Sequence, residues 1–175
     1  MENSPPSKRQ YPTLQIARDT PETADVRALL LRHFDLMRAG SPEESCHVME
    51  PTALLDRGVM LFSARDNGKV LGVGALARLD DNHGELKSMH TSAEARGRGV
   101  ARAILSALLD VARDQGLKRV SLETGTAEMF APARALYLAN GFVECPPFGD
   151  YASDPLSIFM THTLGATCPA TRPAA

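Results

Sequence analysis

Arg96-Gly97-Arg98-Gly99 stands where the chain changes period, and that placement constrains the fold more than any other stretch. Glu85 to Thr91 reads as a strand leading out of a turn, whereas Val100, Ile104, Leu108 and Val111 recur at helical spacing up to Gly116. A strand, a two-glycine loop and an amphipathic helix in succession set a helix N-terminus against the end of a strand. The first N–H groups of such a helix have no internal partner and carry the positive end of its dipole. Gly97 and Gly99 lack a Cβ and let an anion approach the backbone, and Arg96 and Arg98 add charge. The loop reads as an anion site, with a pyrophosphate as its natural guest.

The flanking segments supply the rest of a layered fold. Leu14 to Ala17 is a short strand, and Thr20 before Pro21-Glu22 is a helix start for a run through Val26, Leu29, Leu30 and Met37 that stops at Gly40. Ser41-Pro42-Glu43-Glu44 reads as a second helix start, with partly helical chain from Cys46 to Asp56 broken near Pro51. Val59 to Arg65 and Val70 to Arg78 are strands joined by the hairpin signal Asp66-Asn67-Gly68-Lys69. Asp80 to Gly84 is a further turn. Beyond the helix come a strand at Lys118 to Glu123, a helix at Pro132 to Asn140 closed by Gly141, and strands at Phe142 to Glu144 and Leu156 to Thr163. Three antiparallel strands followed by strand–helix–strand–helix–strand predict a single α/β (α+β) domain with a mixed sheet and helices on its faces. That domain spans 11–164, between tails at 1–10 and 165–175 that are too polar or Pro-rich to order themselves.

Composition removes several function classes. The 175 residues carry a formal net charge of −2, with no basic stripe of the kind a nucleic-acid partner requires. No apolar run is long enough to span a membrane, and 1–12 has no apolar core of a secretory signal, so a cytoplasmic location is expected. Cys46, Cys145 and Cys168 read as free thiols, and the five scattered histidines give no metal-ligand spacing. A homodimer is compatible with the pattern, but no apolar stripe stands clear of the core to decide it.

The glycine loop has three rival readings. A nucleoside-triphosphate loop needs Lys-Ser/Thr at the helix start, where this chain has Val100-Ala101. A dinucleotide fingerprint needs a third glycine where Arg102 stands, although Glu123 ends the next strand where a ribose-binding acid belongs. A plain strand-to-helix turn needs nothing further.

Two spaced motifs add to this reading. Arg96-x-x-Gly99-x-Ala101 resembles the Gln/Arg-x-x-Gly-x-Gly/Ala signature of the GNAT superfamily of N-acetyltransferases. Ala133-x-x-Leu136-Tyr137-x-x-x-Gly141-Phe142 resembles the second signature of the same superfamily, and both stand in the family's order. Four further stretches (41–47, 83–89, 121–125 and 154–161) are similar to a bacterial branch of uncharacterised small-molecule members. The resemblance implies a mainly antiparallel sheet with a splayed central strand pair, and acetyl-CoA as cosubstrate without a metal.

By that resemblance, main-chain groups of Met89, His90 and Thr91 face the thioester and its arm, and Arg96, Gly97, Arg98, Gly99, Val100 and Ala101 hold the pyrophosphate. Phe130 and Ala133 lie on the cofactor side, although Phe130 replaces an Asn usual in the family. Tyr137 aligns with the tyrosine that protonates the departing thiolate. Glu85, eleven residues before Arg96, stands where histone-acetylating members carry a catalytic Glu. Strand alternation puts Glu85, Lys87, Met89 and Thr91 on one face and His90 on the other. Glu123 and His47 are placed nearer the acceptor, whose pocket is expected from Leu30 to Asp56 and from Phe148 to Pro155.

The function implied is transfer of an acetyl group to a primary amine of a small molecule by direct attack on the thioester. A non-catalytic acyl-CoA-sensing module with the same fold is the alternative, and a nucleotide-dependent oxidoreductase a more distant one.

Overall fold

The computed structural model describes residues 14–40, 50–56 and 58–165. Seven strands form one sheet: β1 (Gln15–Asp19), β2 (Val59–Asp66), β3 (Lys69–Arg78), β4 (His83–Thr91), β5 (Arg119–Gly125), β6 (Val143–Glu144) and β7 (Ser157–Thr163). Their spatial order is β1-β2-β3-β4-β5-β7-β6. The β4–β5 pair is parallel and the other pairs are antiparallel. Among the described residues, three α-helices cover the sheet: α1 (Ala24–Gly40), α2 (Val100–Asp114) and α3 (Ala131–Ala139). The fold is thus the expected mixed, mainly antiparallel sheet with helices on both faces.

Local chemistry fixes the elements. Asn67 and Gly68 both take positive φ, as the two-residue turn between β2 and β3 requires. The helix expected from Thr20 begins at Ala24, because Asp19 dominates the junction. Its Oδ1 accepts from the Thr20 N–H (2.8 Å) and the Thr23 hydroxyl (3.0 Å), and its Oδ2 accepts from Ser63 (2.6 Å) and Arg65 (3.0 Å). Pro51 opens a short 3-10 turn to Leu55. The expected helix start at Ser41 and the stretch from Cys46 lie outside the described residues, as does the 1–10 tail.

Two cores flank the sheet. On one face Val26, Leu29 and Leu30 of α1 pack with Leu54, Leu61, Val73 and Ala75. On the other, Val100, Ile104 and Leu108 of α2 and Tyr137 of α3 pack with Leu76, Leu86, Val120 and Leu122. Full burial of each aliphatic side chain contributes roughly 1.5–3 kcal/mol.

β4 is the irregular strand. Ala75 pairs with Lys87 and Val73 with His90, so Gly74 faces the two residues Ser88 and Met89. Ser88 takes a positive φ of 52° at this bulge. The inserted residue reverses the alternation: Glu85, Lys87 and His90 point toward α1, whereas Met89 and Thr91 point toward α2. The expectation that Met89 and Thr91 share the face of Glu85, with His90 opposite, is therefore corrected. β4 also leaves β5 early. Their pairing covers only His83–Arg119, Gly84–Val120 and Glu85–Ser121, after which the strands splay.

Gly74 makes the bulge possible, since a Cβ there meets Met89 Sδ and lies 2.8 Å from Ile104. Gly74→Val is expected to destabilise the fold by about 1–3 kcal/mol through overpacking, read as a lower urea midpoint. A midpoint equal to that of the parent shows that the α2 interface yields freely.

Candidate active site

The splay opens a cleft of about 900 Å³ between the diverging strands. One wall is made by Glu85, Lys87 and His90 of β4, His33, Leu36 and Met37 of α1, and Tyr151 of the loop before β7. The opposite wall is made by Met89 and Thr91, the loop from Arg96 to the first turn of α2, and Phe130, Ala133 and Tyr137. Glu123 reaches the cleft from β5, with its Oε1 accepting from the Ser157 hydroxyl at 2.6 Å.

The glycine loop is built as an anion site. Gly97 and Gly99 have φ of 74° and 78°, a left-handed region that disfavours any residue with a Cβ. Gly99 is the N-cap of α2 and no side chain caps the helix, so the first N–H groups face the cleft mouth without an internal partner. A Cβ on either glycine meets nothing within 4 Å, which leaves the approach to the backbone open. Arg98 needs a correction. Its guanidinium turns away to Asp66 at 3.0 Å, and Arg98 does not line the cleft. Arg102, three residues into the helix, does line it beside Arg96. The sequence signal for Arg102 was its place in the first turn of α2, where a side chain still reaches a ligand at the N-terminus.

On the α3 side, Tyr137 is buried against Phe142, with ring centroids 5.6 Å apart. Its hydroxyl has no hydrogen-bond partner among the described residues. Burial, reinforced by the Glu123 carboxylate, raises its pKa well above the usual phenol value, so it stays protonated. Phe130 stacks so closely on Gly125 that a Cβ at 125 overlaps its ring. An apolar wall thus replaces the amide expected at that point.

On the α1 side, Glu85 is 3% exposed. Its Oε1 accepts from the Tyr151 hydroxyl (2.6 Å) and pairs with Lys87 Nζ (2.8 Å), and Lys87 donates to the Tyr151 oxygen at 3.0 Å. His33 and His90 lie ring to ring at 4.9 Å, and His33 Nδ1 is buried without a partner among the described residues. Burial pushes both imidazoles down to about 4; the His90 charge further disfavours protonation of His33, and Arg96 and Arg32 disfavour that of His90. Both rings are neutral near pH 7. Sequence reasoning missed His33, Lys87 and Tyr151 as site residues, although Tyr151 falls in the loop expected to shape the pocket. His47 lies outside the described residues.

The family model for the acetyltransferase (GNAT) family matches residues 25–142. The chain belongs to this family. It is 45% identical to the uncharacterised N-acetyltransferase YedL of Escherichia coli K12 over 139 residues, 79% of this chain and 87% of that protein. An acyl-CoA N-acyltransferase structure from Klebsiella pneumoniae superposes with a TM-score of 0.72 at 27% identity, covering 87% of this chain and 99% of that one. A GNAT acetyltransferase of Elizabethkingia anophelis, solved with acetyl-CoA bound, shares the fold at a TM-score of 0.64 and 18% identity, over 86% and 98% of the two chains.

GNAT enzymes take their acetyl group from acetyl-CoA, and the residues present fit that cosubstrate. The unpartnered N–H groups behind Gly97 and Gly99, flanked by Arg96 and Arg102, suit a pyrophosphate. The β4 main chain beyond Glu85, unpaired to β5, suits the amides of an extended arm.

The histidine pair has a measurable consequence. Above their ordinary value of 6.5 the imidazoles are neutral in both the folded and the unfolded chain. As the pH falls from 6.5 toward 4, the unfolded chain binds protons that the folded chain excludes, and stability falls. His33→Leu is expected to flatten the loss of urea stability across that window; an unchanged slope places the destabilising protons elsewhere.

Proposed function

We propose that this chain N-acetylates a primary amine of a small molecule, with the amine entering from the α1 side of the splay and the cosubstrate held on the α2–α3 side. The observation that carries this reading is the division of β4 by its bulge. Glu85, Lys87 and His90 serve one compartment, and Met89 and Thr91 serve the other.

Acetyl-CoA, when bound, supplies an acetyl group already activated as a thioester. The N-terminal amides of α2, with Arg96 and Arg102, hold its pyrophosphate. Main-chain groups of Met89, His90 and Thr91 orient the acyl end, and an N–H there polarises the carbonyl at the point of attack, a contribution of a few kcal/mol in acyl transfer. Glu85 Oε2, which has no partner among the described residues, receives the proton that the amine loses. Tyr137 keeps its proton at all working pH values and gives it to the departing thiolate. Glu123 helps hold the ammonium form of the acceptor.

The alternative of a sensing module that binds acyl-CoA without turnover is disfavoured by one observation. Its ligand would need only the α2–α3 wall, yet the α1 wall carries a buried, polar, cleft-facing cluster.

Tyr137→Phe is expected to lower kcat about tenfold to a hundredfold, without loss of CoA binding. The effect stays at the low end because a thiol titrating near 8.5 departs tolerably unaided. Complete loss of turnover with CoA binding intact shows a larger role for Tyr137. Arg102→Ala should weaken CoA binding about tenfold, or ~1.4 kcal/mol, while Arg98→Ala changes it less than about twofold because an exposed ion pair contributes little. Isothermal titration of both variants decides this, and the reverse order refutes the assignment.

A further inference from the structure

The α1 wall of the cleft carries a pair of opposite charges side by side, each with hydrogen-bonding capacity left. Lys87 has three N–H donors, and Glu85 Oε1 and the Tyr151 oxygen take two of them. Glu85 has two carboxylate oxygens; Oε1 receives both Lys87 and Tyr151, and Oε2 has no partner among the described residues. The two groups stand 2.8 Å apart, and both line the cleft. The Lys87 side chain keeps 18% exposure, against 4% for that of Glu85.

Packing does not explain this arrangement. A buried ion pair gains little or nothing over apolar side chains of equal volume, because desolvation offsets the attraction. Its retention on a cleft wall points to a charged guest. A second observation also calls for a polar guest on this wall: His33 Nδ1 is buried beside His90 without a partner among the described residues, a state that costs about 1–3 kcal/mol when nothing satisfies it.

Resting on the acetyltransferase reading above, we infer that the acceptor is an α-amino acid, whose ammonium meets Glu85 Oε2 and whose carboxylate meets the remaining Lys87 N–H. The match is one of spacing. In an α-amino acid the two charges are separated by a single carbon, so both reach adjacent partners at once. A β-amino acid spreads its charges, and a plain amine leaves Lys87 unused. Leu36, Met37 and Leu156 line the same cleft and favour an apolar side chain on the acceptor.

Turnover of the full chain, followed by thiol release from acetyl-CoA, tests this on matched acceptors: L-leucine, β-leucine and 3-methylbutylamine, then L-phenylalanine and 2-phenylethylamine. L-Leucine and L-phenylalanine are expected to exceed their decarboxylated partners at least tenfold in kcat/KM, with β-leucine between. Lys87→Met should collapse that ratio toward one, and Lys87→Arg should retain part of it. Melting temperatures show whether each variant is folded, and the Lys87→Arg ratio decides the matter if Lys87→Met does not fold.

A parallel arm needs no turnover. With CoA present, N-acetyl-L-leucine should raise the melting temperature more than N-(3-methylbutyl)acetamide does. Acetylation of all amines without regard to the carboxylate overturns the inference and leaves the acetyltransferase reading standing. Protection by N-acetyl-L-leucine with no amine turned over supports the recognition site and overturns the catalytic reading. Equal protection by the two acetylated compounds, or by neither, overturns the inference.

Discussion

The structure depends on β4 being unable to serve two neighbours along its whole length. It pairs with β3 through a bulge at Ser88 and with β5 over only three residue pairs. Unpaired main-chain groups away from water are costly, so a strand left open in the middle of a sheet is stable only where water or a ligand completes it. The open stretch is where Met89, His90 and Thr91 lie. The bulge also decides which side chains accompany them, because one inserted residue exchanges the two faces of everything beyond it. One strand thereby becomes the partition between two compartments, each with its own chemistry.

Charge is distributed accordingly. On the α2 side the attraction for anions comes from backbone dipoles together with Arg96 and Arg102, while Arg98 is spent on Asp66 at the β2–β3 turn. On the α1 side the charges come as the tight pair Glu85 and Lys87, while the two imidazoles beside them are held neutral. In the proposed function, the anionic cosubstrate and the acceptor are thereby separated by electrostatics as well as by shape.

Much of this was legible in the sequence, where local chemistry determines the outcome. The Asn67-Gly68 turn, the helical period from Val100 to Val111 and the paired glycines at 97 and 99 each act within a few residues, and each appears where expected. The strand period failed at Ser88, since nothing about Ser88-Met89 announces an extra residue; the cause lies across the sheet at Gly74. Arg98 was misplaced because its partner Asp66 is 32 positions away. The bond between Tyr151 and Glu85 joins positions 66 apart, and it turns a lone strand carboxylate into part of a cluster. Lys87 was more accessible, since it is two residues from Glu85 and on the same side of the bulge.

The α1 wall also bears on why the chain carries a working site rather than a bare CoA cradle. In the proposed function, holding an acyl-CoA draws on the α2 N-terminus, the β4 main chain and the Phe130–Ala133 wall. None of these needs Glu85, Lys87, Tyr151 or His33. A fold that kept only the cradle would gain by replacing the buried ion pair with apolar side chains and by removing an unpartnered imidazole nitrogen. Both are present, facing the same cleft as a protonated Tyr137 that has no other hydrogen-bond partner among the described residues. The stability given up on one wall and the proton retained on the other have a common use only when two molecules meet between them.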